Sequence, residues 1–333
     1  MIPSSNVVTP PPLSPYGTFT GDLFQYGRNR VAFESPPPAA TDRGAPWSPH
    51  KCILIGGLGD GLIPVPYTDG LQRVCNETGW SLVQPILSSS YTGFGHGSID
   101  QDADELIELV GYLNCHRNAT HICFVGHSTG CQDICHLLRT QRRQHNGGGD
   151  DDDDDGTHSR WPNGVTLAGA VLQAPVSDRE QPAAQDPESY KTNIDLAKQM
   201  CRGGRADECM PRADFWTPIT AQRFLDLQDA GGRDDYFSSD HTDAELSERL
   251  QAAGEYPGLH VLVAFSGADE FLKPGLDTVA QAQRLAAACN AKRPGTATAL
   301  HLPTCNHNLS RGGEEVNVFL RHVKGILIKA KGE

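Results

Sequence analysis

"FVGHSTGCQD", residues 124–133, decides how the chain is read, because it holds the pentapeptide Gly126-His127-Ser128-Thr129-Gly130 in the form G-x-S-x-G. A chain with 35 glycines meets that pattern easily by chance, so the weight rests on what surrounds it. The apolar run Ile122 to Val125 leads directly into Ser128, and a helical pattern begins near Gly130. Strand, sharp turn, helix is the setting of a nucleophile elbow. There the serine is held in a strained conformation with its hydroxyl above the sheet edge, and the flanking glycines relieve the crowded backbone.

Working outward from the elbow, short apolar runs alternate with amphipathic stretches. "CILIG", "WSLVQPIL" and "HICFV" read as strands, separated by the helical patterns "YTDGLQRVCNETG" and "DQDADELIELVGYLN", the second with Asp100 as its expected N-cap. "GCQDICHLLRTQRRQ" is the helix after the elbow, and "VTLAGAVLQAP" (165–175) resumes the sheet. "LHVLVAFSGADEF" is a strand with its loop, "LDTVAQAQRLAAACN" a helix, "TATALHLP" a last strand and "EEVNVFLRHVKGILIKA" a closing helix. This βαβ rhythm predicts an α/β fold with a mostly parallel sheet covered on both faces.

Residues 1–50 read as a Pro-rich leader, a β-hairpin over 17–35 and a linker; residues 51–175 are the first part of the α/β core. Within that part, "NGGGDDDDDDG" (146–156) is expected to be a disordered loop, since six like charges among glycines cannot bury apolar surface. Residues 176–256 lose the strand signal in favour of polar helical segments and are expected to form an inserted helical cap; 257–333 complete the core.

A nucleophilic serine needs a base and an orienting acid, in the chain order serine, acid, histidine. Asp269 follows the strand "HVLVAF", with Glu270 beside it as the rival acid. His307 follows the last strand, 38 residues after Asp269. His301 belongs in that strand and His322 on the terminal helix, which leaves His307 as the histidine in a loop at the correct edge. For the oxyanion, the Thr129 N–H next to the nucleophile supplies one donor. The loop "GGLGDG" (56–61) supplies the other, from Leu58 or the adjacent Gly57. No G-K-[ST] follows that loop and no G-x-G-x-x-G opens a helix, so nucleotide binding is not expected.

The 333 residues are 38% hydrophobic and 21% charged, enough for a sizeable core. The formal charge is −13, of which Asp150 to Asp155 supply six, leaving about −7 elsewhere. That balance disfavours nucleic acid and anionic membranes as partners and suits a neutral or cationic small molecule. The N-terminal stretch lacks a basic and then apolar signal pattern, no run approaches the roughly 18 apolar residues of a membrane helix, and a soluble cytoplasmic protein, a monomer, is expected. The ten cysteines contain no C-x-x-C pair and several fall inside apolar runs, so reduced thiols are expected and no metal site; Cys135 and His136 read as helix packing.

Taken together, "IGGLGDGLIPVPY", "SSSYTGFGHGSIDQDADEL", "GHSTGCQD", "PITAQRFLDL" with "DDYFSSD", "SGADEF" and "CNHNLS" resemble a fungal branch of the α/β-hydrolases, formerly a domain of unknown function, that includes siderophore esterases acting on fusarinine C. The resemblance spans about residues 17–330. It implies an eight-stranded α/β-hydrolase core, a helical cap, a triad on Ser128, Asp269 and His307, and cytosolic hydrolysis of an iron-carrying hydroxamate ester. No cofactor is expected; iron would arrive with the substrate. A general carboxylesterase or lipase would share the triad, but the polar cap is unlike a lipid-facing lid; a silent siderophore-binding protein would not need the triad. The cap acids Asp234, Asp235, Asp240 and Asp243 are expected to favour an ester with free amino groups.

Overall fold

The computed structural model describes residues 16–37, 47–145, 161–211, 215 and 217–332, with side chains absent from the description at 142–145. The Pro-rich leader and the Asp-rich run lie outside the described residues.

Eight strands form one sheet: β1 (Asp22–Tyr26), β2 (Arg30–Ser35), β3 (His50–Ile55), β4 (Ser81–Ile86), β5 (His121–His127), β6 (Thr166–Gln173), β7 (His260–Ser266) and β8 (Ala297–Leu302). Their spatial order is β1-β2-β4-β3-β5-β6-β7-β8. The β1–β2 hairpin adds antiparallel to β4, and every other pairing is parallel. This is the α/β-hydrolase arrangement. A buried ion cluster ties the hairpin down: Lys51 Nζ stands 2.6 Å and Arg117 Nη1 3.0 Å from the Glu34 carboxylate.

Helices α1 (Thr68–Thr78), α2 (Ile99–Arg117), α3 (Thr129–His145), α8 (Thr278–Cys289) and α9 (Glu314–Lys329) cover the sheet. Because side chains alternate along a strand, Ile53, Ile122 and Phe124 pack on one face with α2, α3 and α8, while Cys52, Leu54 and Val125 pack on the other with α1 and α9. Helix α2 is capped by Ser98, not by Asp100. Ser98 is extended (φ −150°, ψ 156°) and its hydroxyl accepts the Gln101 N–H at 3.2 Å, which places Asp100 already inside the first turn.

Residues 176–256 carry α4 (Glu180–Gln185), α5 (Pro187–Arg202), α6 (Ala221–Gln228) and α7 (Asp243–Leu250). Helices α5 and α6 pack on each other around Ile194, Ala197, Phe224 and Leu227. By contrast, Leu246 and Leu250 of α7 join the main core, so the segment is divided between a small cluster of its own and the body of the molecule. All ten cysteines are free thiols. No helix among the described residues is long and apolar enough to cross a membrane.

Candidate active site

Strand register brings the site together. Ile55 at the end of β3 pairs with Gly126 of β5, so the loop 56–61 emerges beside the turn at 126–130. His127 pairs with Gln173 of β6, Gln173 with Ala264 of β7, and Ser266 at the end of β7 with Leu302 of β8. The loops holding Asp269 and His307 therefore leave the same carboxyl edge as Ser128, where parallel α/β sheets gather their ligands.

Ser128 sits at φ +54°, in the left-handed region. For a residue with a side chain this costs on the order of 1–3 kcal/mol and needs support from the surroundings. The flanking glycines are required by close approach. A Cβ on Gly126 would stand 2.5 Å from the Gly130 carbonyl oxygen, and one on Gly130 would stand 2.7 Å from the oxygens of Ile55 and Gly56. The Ser128 N–H is fixed to the Gln173 carbonyl at 3.0 Å.

Thr129 opens α3, so its N–H has no partner within the helix. In the neighbouring loop, Asp60 N–H closes a turn on the Gly57 carbonyl at 3.0 Å. The two candidate donors in this loop differ. The Gly57 N–H donates to the Asp60 carboxylate at 2.8 Å and is thus engaged, while the Leu58 N–H lies inside the turn, outside its closing bond. The Leu58 side chain packs against the α5–α6 cluster, which steadies the amide from the cap side. Burial pushes the Asp60 carboxyl above its ordinary value, with the Gly57 amide opposing. Gly57 itself lies against the serine: a Cβ there would be 2.8 Å from that of Ser128.

His307 Nδ1 lies 2.7 Å from Asp269 Oδ2, a buried pair. The other oxygen of Asp269 accepts the Phe271 N–H at 2.9 Å. Glu270 meets His307 differently, accepting its backbone N–H at 3.0 Å without reaching the ring. With Nδ1–H donated to Asp269, the lone pair of the imidazole is on Nε2. The exposed Phe271 ring covers His307, centroids 4.6 Å apart. His301 lies in β8, bonded to Thr278 at 2.9 Å, and His322 lies on α9. His136 spans Tyr236 and Asp100 at 2.9 Å each, a packing role.

Sequence reasoning missed Gln173, which is fully buried and joins the two halves of the site. Its amide oxygen accepts from Tyr67 OH at 3.1 Å and from His127 Nδ1 at 2.7 Å, and its Nε2 donates to the His307 carbonyl at 2.8 Å. Burial, with His307 adding to it, holds His127 down to about 3, so the ring is neutral at ordinary pH. The signal in the sequence was a lone glutamine closing the apolar run "AGAVLQ". Asp60 was hidden among the glycines of its loop.

A small pocket adjoins Leu58 and Thr129 and is also lined by Phe94, Asp102, Asp133 and Arg223. The acids expected to attract an amine are engaged by arginines. Asp234 pairs with Arg223 (2.7 Å), Asp235 (2.9 Å) and Asp240 (2.5 Å) with Arg179, and Asp243 with Arg284 (2.9 Å). Arg179 and Arg223 belong to the cap and Arg284 to α8, so each of these carboxylates is already held in an ion pair.

A family model described as a protein of unknown function (DUF1749) matches residues 9–327. The fusarinine C esterase of Aspergillus fumigatus is 31% identical over 299 residues, covering 79% of this chain and 81% of that protein. An esterase of Emericella nidulans is 28% identical over 278 residues, 71% of this chain and 70% of its own. Among solved structures, siderophore hydrolase EstB from Aspergillus fumigatus superposes with a TM-score of 0.75 at 27% identity, over 95% of this chain and 99% of that one.

Proposed function

The chain belongs to the DUF1749 family and is a carboxylic ester hydrolase, and we propose that it opens ester bonds of a hydroxamate siderophore of the fusarinine C type through Ser128, His307 and Asp269. The 2.7 Å bond between Asp269 and His307, at the sheet edge that carries the strained Ser128, supports this reading of the machinery most strongly. Nε2 of His307 takes the Ser128 proton as Oγ attacks the ester carbonyl, and Asp269 stabilises the imidazolium that forms. The Thr129 and Leu58 amides hold the oxyanion. His307 then protonates the departing alcohol, and water, activated by the same ring, releases the acid from the acyl-enzyme.

The pocket beside Leu58 and Thr129 is small, so it takes one group of a large substrate at a time, with the remainder outside. Cutting the ester backbone removes the tether that keeps several hydroxamates at high effective concentration around the iron, so the metal is released more readily. Iron is cargo of the substrate here.

The test is a panel of fusarinine C, p-nitrophenyl esters of graded chain length, and peptides. The siderophore ester should show the highest kcat/KM. A preference for long acyl chains would replace this reading by a general carboxylesterase, and tight siderophore binding without turnover would replace it by a carrier.

A further inference from the structure

We propose that Asp102 and Asp133 form a cation subsite in this pocket that takes a primary ammonium group carried on the acyl side, next to the scissile carbonyl. The proposal rests on the ester-hydrolase reading and adds the chemistry by which the acyl group is recognised.

Both residues line the same pocket as Thr129 and Leu58, and both are buried, 3% and 8% exposed. Asp133 is four residues after Thr129 on α3, so it lies on the same face, about 6 Å further along the axis, with its side chain leaning back toward the N-terminus. A group bonded to the carbon next to a carbonyl held by the Thr129 amide falls within that interval.

Charge points the same way. The nearest cation, Arg223, is already committed, with Nη1 2.7 Å from Asp234 and Nε donating to the Phe94 carbonyl at 3.1 Å. Asp102 is hydrogen-bonded by Ser89, yet its Oδ1 is buried without any partner. A buried carboxylate oxygen left unmatched is costly, and an ammonium group with three N–H donors supplies what is missing. Burial raises Asp102 to about 7 and Asp133 well above the carboxylate range, and Asp102 pushes Asp133 up further. A bound cation reverses both effects. Among the described residues no group of three His, Cys, Asp or Glu side chains stands close enough to hold a metal ion, which favours an organic cation.

The measurement is kcat/KM for norvaline methyl ester and its N-acetyl derivative at neutral pH, taken as a ratio within each protein so that any partial loss of folded enzyme cancels. Wild type should favour the free amine by about tenfold or more, the worth of one well-placed charge pair. D102N, D133N and the double variant should bring the ratio toward one. In wild type, n-butylammonium chloride should inhibit p-nitrophenyl acetate hydrolysis more than sodium chloride at equal ionic strength, a readout that stands even if the variants fail to fold. A wild-type ratio near one, or equal inhibition by the two salts, with p-nitrophenyl acetate still hydrolysed, overturns the subsite and leaves the esterase reading intact. A wild-type preference that survives in a folded double variant overturns the assignment to these residues. Hydrolysis of no ester at all overturns both readings.

Discussion

Ser128, Asp269 and His307 follow β5, β7 and β8 at one edge of the sheet, and if they act as proposed their replacements should separate cleanly. His307→Ala and Asp269→Asn are expected to lower kcat by roughly 10³-fold or more, and Glu270→Gln, which grips only the His307 backbone, by about tenfold at most. Steady-state kinetics on one ester decides this, and a reversal of the two acid variants would make Glu270 the orienting group. Asp102 carries a separate pH signature, set by its surroundings: Asp234 and Glu105 push its carboxyl up after burial, while Ser89 and Arg223 pull it down. A carboxyl raised in the folded state lends stability that is fully present below its unfolded value near 3.8 and lost as pH rises through about 7. Asp102→Asn should therefore melt at a higher temperature than wild type at pH 8, with the difference gone near pH 4. Equal melting curves at both pH values would show that Asp102 is not destabilised by its charge. Ser128, Asp269 and His307 were legible in the sequence because chain order and edge position restrict them. Gln173 and Asp102 were not, since the first is set by a partner 134 residues away and the second by an oxygen buried without a partner.

At the scale of elements, apolar runs marked β3 to β7, because in a sheet covered on both faces burial forces long apolar stretches, while β1 and β2 were marked by β-rich runs on either side of a turn. The start of α2 was less legible: Ser98 and Asp100 are both good caps two residues apart, and only the extended backbone at Ser98 selects between them. Polarity also made α7 look like its neighbours α5 and α6, although tertiary packing sends its leucines into the main core. The elbow yields the element-scale prediction. A methyl added at Gly130 meets the Ile55 and Gly56 carbonyl oxygens and must push the oxyanion loop away. Gly130→Ala should cost about 1–3 kcal/mol of stability and lower kcat by a larger factor than KM changes. A folded variant with wild-type turnover would mean that the loop between β3 and α1 does not supply an oxyanion donor.

Across the whole molecule, the site occupies one edge of the sheet and helix α3 leads away from it. Helix α3 starts at Thr129 beside the pocket and ends at His145, about 24 Å away along its axis. Replacing Gly147 to Gly156, which lie outside the described residues, by a short Gly-Ser linker should leave kcat/KM within about twofold, since α3 carries the chain away from the pocket before that segment begins. A large loss would bring that segment into contact with substrate or with a partner. The central claim, that Ser128 is the nucleophile of an α/β-hydrolase triad, is tested most directly by reacting the protein with a fluorophosphonate and locating the adduct by peptide mass spectrometry. The account predicts a single adduct on Ser128, absent from Ser128→Ala and strongly slowed in His307→Ala. An adduct on another serine, or ester turnover retained by Ser128→Ala, would contradict it.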